Sequence, residues 1–352
     1  MAGRHRLRVA GAEVEIDLGR GVLTDLAFSF GDRVIRPLHR AHWVGGPVPE
    51  GLAPVEAGLE GDFLSAPFGR DDIAPGGPIH GPAANSRWQV LHEAPGLLEL
   101  ELVAPVRGAR IVKRLRLGSG ALVTEHEIRG GAGHLSLAHH PMLRFSAPGW
   151  LSYSAKRAVL TGQGVEPGRH RLAVAARGTD LRAVPGVAGP CDLTRWPWEA
   201  EVGAGHEDFC TLVEAPGAAL GWTAAVRPDE DDLVLILKDP ATLPVTMLWL
   251  SNGGRDRAPW DGRHLGVIGI EDACTAGDEG NRAAASGRNR VAAEGVATAL
   301  PLGEGVLHRT WHAICALPRP AGWERLASVA PAPGGVTLTS EGGEQRAVTL
   351  PV

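Results

Sequence analysis

The chain has 352 residues and a formal net charge of −5, so it lacks the basic excess of a nucleic-acid binder. Its 48 glycines and 27 prolines fill more than a fifth of the sequence, which disfavours long helices, while 44% hydrophobic residues suffice for a large core. No apolar run approaches the roughly 18 residues that cross a bilayer. The N-terminal stretch is too charged for a signal peptide, and Cys191, Cys210, Cys274 and Cys315 are too dispersed for a zinc cluster or disulfide framework. A cytoplasmic protein with no membrane or nucleic-acid partner is the expectation, and oligomeric state is not legible.

Strand signals dominate from the start. Val14, Ile16 and Leu18 alternate with Glu15 and Asp17, and Leu98, Leu100 and Leu102 alternate with Glu99 and Glu101. Such period-two patterns predict half-buried strands. Between these pairs lies a turn-rich segment, Pro75 to Pro82, that carries His80; Pro67-Phe68-Gly69-Arg70 precedes it. Further on, the runs 233–237 and 245–250 are wholly apolar, as expected of strands buried on both faces. Residues 162–206 are rich in Gly, Pro and charge and read as an excursion between strands. Residues 282–300 are the best helical candidate, although a loop with a short helix fits equally. The expectation is an all-β chain, 1–352, folded as one large β-sandwich domain of two sheets packed face to face. The ten tryptophans suit core packing, with some available to stack on sugars.

Two strands place ionisable groups informatively. In 134–140, the leucines share a face with His139, whereas His140 lies on the opposite face with Ser136 and His134. In 267–271, Ile268 and Ile270 point one way, and Val267, Gly269 and Glu271 the other. Each strand therefore offers a titratable group to the face opposite its bulky apolar residues. Read singly, each has an ordinary structural explanation: a strand-end histidine or glutamate is usually exposed, His80 could cap a turn, and Arg70 could pair with Asp71 or Asp72. His308 and His312 are four apart, but their context reads as a strand and not as a metal-binding helix.

In combination these segments resemble the aldose 1-epimerases, the galactose mutarotase-like family. The resemblance spans roughly residues 10–320. Pro67 to Arg70 is similar to the family's motif ending in a sugar-binding arginine. Ile79-His80-Gly81 with the following Trp88 is similar to its His-Gly motif, His140-Pro141 to its catalytic histidine motif, and Gly269-Ile270-Glu271 to the strand bearing its catalytic glutamate. The resemblance implies a galactose mutarotase-like supersandwich with a cleft on the concave face of one sheet. It implies an isomerase that interconverts sugar anomers, with a small-molecule sugar as partner and neither cofactor nor metal. Glu271 would be the general base on the anomeric hydroxyl and His140 the general acid on the ring oxygen, acting from opposite sides of the ring. His80 and Arg70 would bind substrate, and Trp249 is a further candidate substrate-binding residue. The family's substrate-binding aspartate precedes a phenylalanine; here His206 or Asp208, before Phe209, would take its place. Met142 and Leu143 replace the usual aromatic pair after the histidine motif and would alter the pocket floor. A hexose-phosphate epimerase, with Arg87 and Arg144 as further anion binders, and a non-catalytic carbohydrate-binding protein are the alternatives.

Overall fold

The alternating segments become strands of two large antiparallel sheets in the computed structural model, which describes residues 3–198 and 205–351. Residues 199–204, inside the expected excursion, lie outside that description. The front sheet has eight strands. Its centre runs His206–Glu214, Val245–Asn252, Val267–Cys274 and Leu137–His139, with Leu64–Ser65 at one edge and Met142–Arg144 also paired to Val267–Cys274. The back sheet has nine strands and is centred on Asp232–Lys238, Leu307–Pro318 and Ala121–Gly130.

The faces follow the expected parity. Cys210, Leu212, Leu248, Leu250, Ile268, Ile270 and Leu137 of the front sheet join Val234, Ile236 and Ile314 of the back sheet in one apolar cluster between the layers. The opposite face of the front sheet carries Phe209, Trp249 and Val267, packed with Trp43, Phe63 and Trp260 from flanking loops. Full burial of residues 233–237 has a specific cause. A C-terminal three-stranded sheet, Leu326–Ala332, Gly335–Ser340 and Gln345–Thr349, lays Leu326, Val329, Val336 and Leu338 over Leu233, Leu235 and Leu237 on the outer face of the back sheet. Burying each such Leu or Val side chain contributes roughly 1.5–3 kcal/mol.

The helical candidate at 282–300 resolves into two short helices, Gly280–Ser286 and Arg290–Ala293. Gly287 breaks them apart with a left-handed φ of 64°, and Asn289 caps the second by accepting from the Ala292 N–H at 2.7 Å. The four cysteines are free thiols. Among the described residues no helix is long and apolar enough to cross a membrane.

Candidate active site

The strand Val267–Cys274 sends Ile270 into the inter-sheet core and Glu271 to the outer face of the front sheet, because neighbours alternate. Its partner register puts Met142 opposite Gly269, which brings His140, just before Met142, beside Glu271. His140 Nε2 lies 3.2 Å from Glu271 Oε1, and both residues are almost completely buried. The ring of His140 is fixed by its surroundings. Phe63 stacks on it at 4.4 Å, while His80 and Trp249 approach edge-on at 5.3 and 5.9 Å. Its backbone N–H donates to the Phe63 carbonyl and to Asp62 Oδ1, each at 3.0 Å. Gly269 leaves the space this pair occupies: a Cβ there would come 3.0 Å from Glu271 Oε1 and 3.5 Å from His140 Cε1.

His80 enters from the turn-rich loop. It precedes the short helix Gly81–Asn85 with φ 65°, a left-handed conformation that costs a non-glycine residue roughly 1–2 kcal/mol. The side chain makes no cap hydrogen bond. Its Nδ1 instead meets Ser65 Oγ at 2.7 Å, which orients the ring over the pair. Gly81 is required beside it, since a Cβ would sit 2.2 Å from the Ala66 carbonyl oxygen.

These three residues line a partly open cleft of about 140 Å³, together with Phe68, Ile79, Phe209, Trp249, Trp260 and Arg255. That volume admits a ligand the size of a small ring. Aromatic walls with a few convergent polar groups are the general form of a small-molecule site.

Burial controls the protonation of the pair. It pushes the His140 imidazole down to about 4 and the Glu271 carboxyl well above the usual carboxylate range, since each charged form loses hydration. Both shifts favour the uncharged forms, a carboxylic acid at Glu271 beside a neutral imidazole at His140. Glu271 Oε2 and His140 Nδ1 are buried and make no hydrogen bond within the protein. Burial also holds His80 neutral, well below its ordinary value.

Of the residues named from sequence as substrate-binding, Trp249 and His80 line the cleft, and three others do not. His206 and Asp208 face the opposite way from the cleft. His206 Nδ1 pairs with Asp208 Oδ2 at 2.7 Å, Asp208 Oδ1 accepts the N–H groups of Arg171 and Leu172 at 2.8 Å, and His206 stacks on Trp198. They anchor the excursion to the sheet. The residues of this strand on the cleft side are Glu207 and Phe209, opposite Ser251 and Trp249 in the register. Glu207 accepts from Trp249 Nε1 at 2.7 Å and Ser251 Oγ at 3.0 Å. Burial lifts its carboxyl to about 7, against the opposing pull of Arg255, Trp249 and Ser251.

Arg70 is exposed and is not part of the lining. Its neighbours Asp71 and Asp72 hold Arg107 and Arg282 instead. The arginine in the cleft is Arg255, on the loop after the tryptophan strand. Its guanidinium lies over Trp260 at 4.4 Å and Trp249 at 5.3 Å, and its Nε is 3.2 Å from Glu166 and 3.4 Å from Glu207. Arg87 and Arg144 are exposed and line no part of the cleft. Met142 packs in the apolar cluster with Phe63 and Trp249.

No protein-family model and no curated protein sequence matches the chain. Solved structures do. A putative aldose 1-epimerase from Escherichia coli K12 superposes with a TM-score of 0.60 at 14% identity, over 90% of this chain and 99% of that one. The fold is the galactose mutarotase-like β-sandwich. A galactose mutarotase related enzyme from Lactobacillus acidophilus (TM-score 0.58, 10% identity, 91% and 99% covered) and a GalM/aldose epimerase homologue from C. elegans (0.52, 13%, 91% and 100%) share it. At these identities the likeness defines architecture. What the mutarotase-like scaffold can do in this chain rests on the groups in its cleft.

Among the described residues, Asp62, His139 and His312 place three ligand-type atoms within 4.8 Å of one another, on the inter-sheet side. Their arrangement is not that of a metal centre. The His139 and His312 rings stack at 4.2 Å with only 24° between planes, so their in-plane lone pairs do not converge on one ion. His308 points elsewhere, to the Pro301 carbonyl at 2.6 Å.

Proposed function

We propose that the protein is an aldose 1-epimerase-like isomerase acting on a free, uncharged monosaccharide. The observation that carries this reading is the isolated His140–Glu271 contact at 3.2 Å in a ring-sized, aromatic-walled cleft. The two groups stand side by side, not on opposite sides of a ring as the sequence led one to expect. Side by side is what the chemistry needs, because the anomeric hydroxyl and the ring oxygen are bonded to the same carbon.

Glu271 takes the proton of the anomeric hydroxyl while His140 gives a proton to the ring oxygen. The bond from the anomeric carbon to the ring oxygen breaks and a carbonyl forms. Rotation about the bond between the first two carbons presents the other carbonyl face, and the reverse transfers close the ring. The pair carries one proton throughout. The uncharged forms that burial favours correspond to the ring-opened stage. A bound sugar donating hydroxyls to the carboxylate would favour the charged form that starts ring opening. Each such acid or base contributes roughly 10²–10⁴-fold. His80, held by Ser65, is suited to hydrogen-bond ring hydroxyls, and Trp249 and Trp260 to pack on a sugar face.

The phosphorylated-sugar alternative draws less support. Arg255 is the one arginine in the lining, and it already faces two carboxylates. The test is NMR exchange between anomers of neutral aldoses and of their 6-phosphates. Acceleration of a neutral aldose that is lost in Glu271→Gln and in His140→Ala supports the reading. A preference for the phosphates, or full rates in both variants, contradicts it.

A further inference from the structure

Behind the catalytic strands, on the inter-sheet side, lies a chain of buried charges that the proposed reaction does not use. His312 belongs to the back sheet and is wholly buried. Its Nε2 is 3.3 Å from Asp62 Oδ2 and its Nδ1 is 3.8 Å from Asp272 Oδ2. Each aspartate is tied to one member of the pair in the cleft. Asp62 accepts the backbone N–H of His140 at 3.0 Å, and Asp272 is the chain neighbour of Glu271. Asp272 also accepts from Thr246 Oγ1 at 2.8 Å and pairs with Lys238 at 3.2 Å.

We propose that His312 is a positioning residue for the catalytic pair: as an imidazolium held between Asp62 and Asp272, it fixes from the opposite sheet the two anchors that set His140 against Glu271. The inference rests on the anomer-exchange reading of the cleft. Geometry argues for a cation at this point. Two carboxylates approach opposite ring nitrogens at ion-pair distance, though neither nitrogen makes a hydrogen bond, and a buried carboxylate needs a charged or hydrogen-bonding partner. The groups facing His312 from each packed element are Asp62, Asp272, His139, His126, Lys113 and Lys238. Only the two aspartates are anionic, and Lys238 serves Asp272 on its other oxygen. Burial alone would lower His312, but Asp272 and Asp62 outweigh it and hold the ring up at about 9.

The consequence is directional. Removing the cation leaves the fields of Asp62 and Asp272 less compensated behind the pair, with Lys238 still on Asp272 and Lys113 near Asp62, so protons bind more tightly to His140 and Glu271. It also frees the backbone at both anchors. His312→Gln is therefore expected to lower kcat about tenfold or more, because small misplacements of reacting groups are costly, to leave KM within about twofold, and to move the acid limb of the kcat profile to higher pH. An unmoved limb, or a change in KM alone, overturns the proposal. Wild-type protein labelled with ¹⁵N-histidine supplies a readout that needs neither turnover nor a variant. Both His312 ring nitrogens should carry protons at pH 7 and titrate only above pH 8. A His312 ring with one bare nitrogen at pH 7, or an equimolar zinc ion that disappears in His312→Gln, overturns it. If no aldose is turned over, the proposed activity fails, and the nitrogen spectra still decide whether the clamp exists.

Discussion

Adjacent residues on one strand meet opposite fates. Glu271 and Asp272 are both buried, yet the Glu271 carboxyl is pushed well above its ordinary range while that of Asp272 is held down at about 2. Burial alone would raise both. On the inter-sheet face, Lys238, His312 and Thr246 outweigh it; on the cleft face, Glu271 has His140, itself unwilling to charge. The same contrast separates His139, stacked on His312, from His140, stacked on Phe63. One face of the sheet spends its charges on holding the layers in place. The other holds a pair whose burial favours the uncharged forms, on the lining of the cleft. Depth of burial does not distinguish a working group from a structural one; the number and sign of the neighbours do.

Substitutions one residue apart should break the comparison cleanly. The largest expected effect is Glu271→Gln, which should cut anomer exchange by roughly 10²–10⁴-fold with unfolding free energy little changed, as read by urea melts. Asp272→Asn should act first on stability, with a smaller fall in kcat because it also removes one anchor of the pair. It should cost about 3–5 kcal/mol of stability, because it leaves Lys238 and His312 facing a lost charge inside the protein. Equal stability losses in both variants would mean that the two faces are not distinct. Gly269→Ala is expected to be intermediate, lowering kcat about tenfold, since the new Cβ presses on Glu271 at 3.0 Å, and unaltered kcat would show the pair to be loosely held.

The pH dependence of stability sharpens the contrast further. His140 and His39 have folded values near 4 and His80, His126, His139 and His264 lie well below the ordinary value. The unfolded chain, with histidines near 6.5, binds more protons in this window, so stability should fall as pH drops from about 6.5 to 4. His312 has the opposite sign: its raised folded value adds stability that is present below about 6.5 and is lost as pH rises through about 9. Wild-type thermal melts at pH 5 and 7 check the acid limb. Buried Lys113 and Lys156, held down at about 8, and the cysteines also titrate on the alkaline side, so the alkaline contribution of His312 is read as the difference between wild type and His312→Gln at pH 7 and 9.5. The smallest effect belongs to the two arginines. Arg255→Ala should raise KM several-fold, whereas Arg70→Ala, at an exposed site, should stay within about twofold.

Much of this was legible in the sequence where period two governs. The parities of 134–140 and 267–271 put His140 and Glu271 on the outer face and Leu137, Ile268 and Ile270 inside, and the β-sandwich followed from the same alternation. The parity of 206–212 carried equal information. Cys210 and Leu212 are core residues, so Glu207 and Phe209 had to face the cleft. Adjacency to the phenylalanine pointed instead to Asp208, but adjacent residues in a strand face opposite ways. Arg255 had no such signal, because it sits on a loop whose path is set by Trp249, Trp260 and Glu166. The tie from His312 to Asp62 and Asp272 joins segments far apart in the chain, and no local pattern encodes it.

The central claim is that the uncharged His140–Glu271 pair moves a proton on a sugar. NMR magnetisation exchange between the α and β anomers of neutral aldoses, with wild-type protein and Glu271→Gln side by side, tests it most directly. The account predicts accelerated exchange of at least one aldose by wild type and a return to the uncatalysed rate in the variant. Exchange at the wild-type rate in folded Glu271→Gln would contradict it.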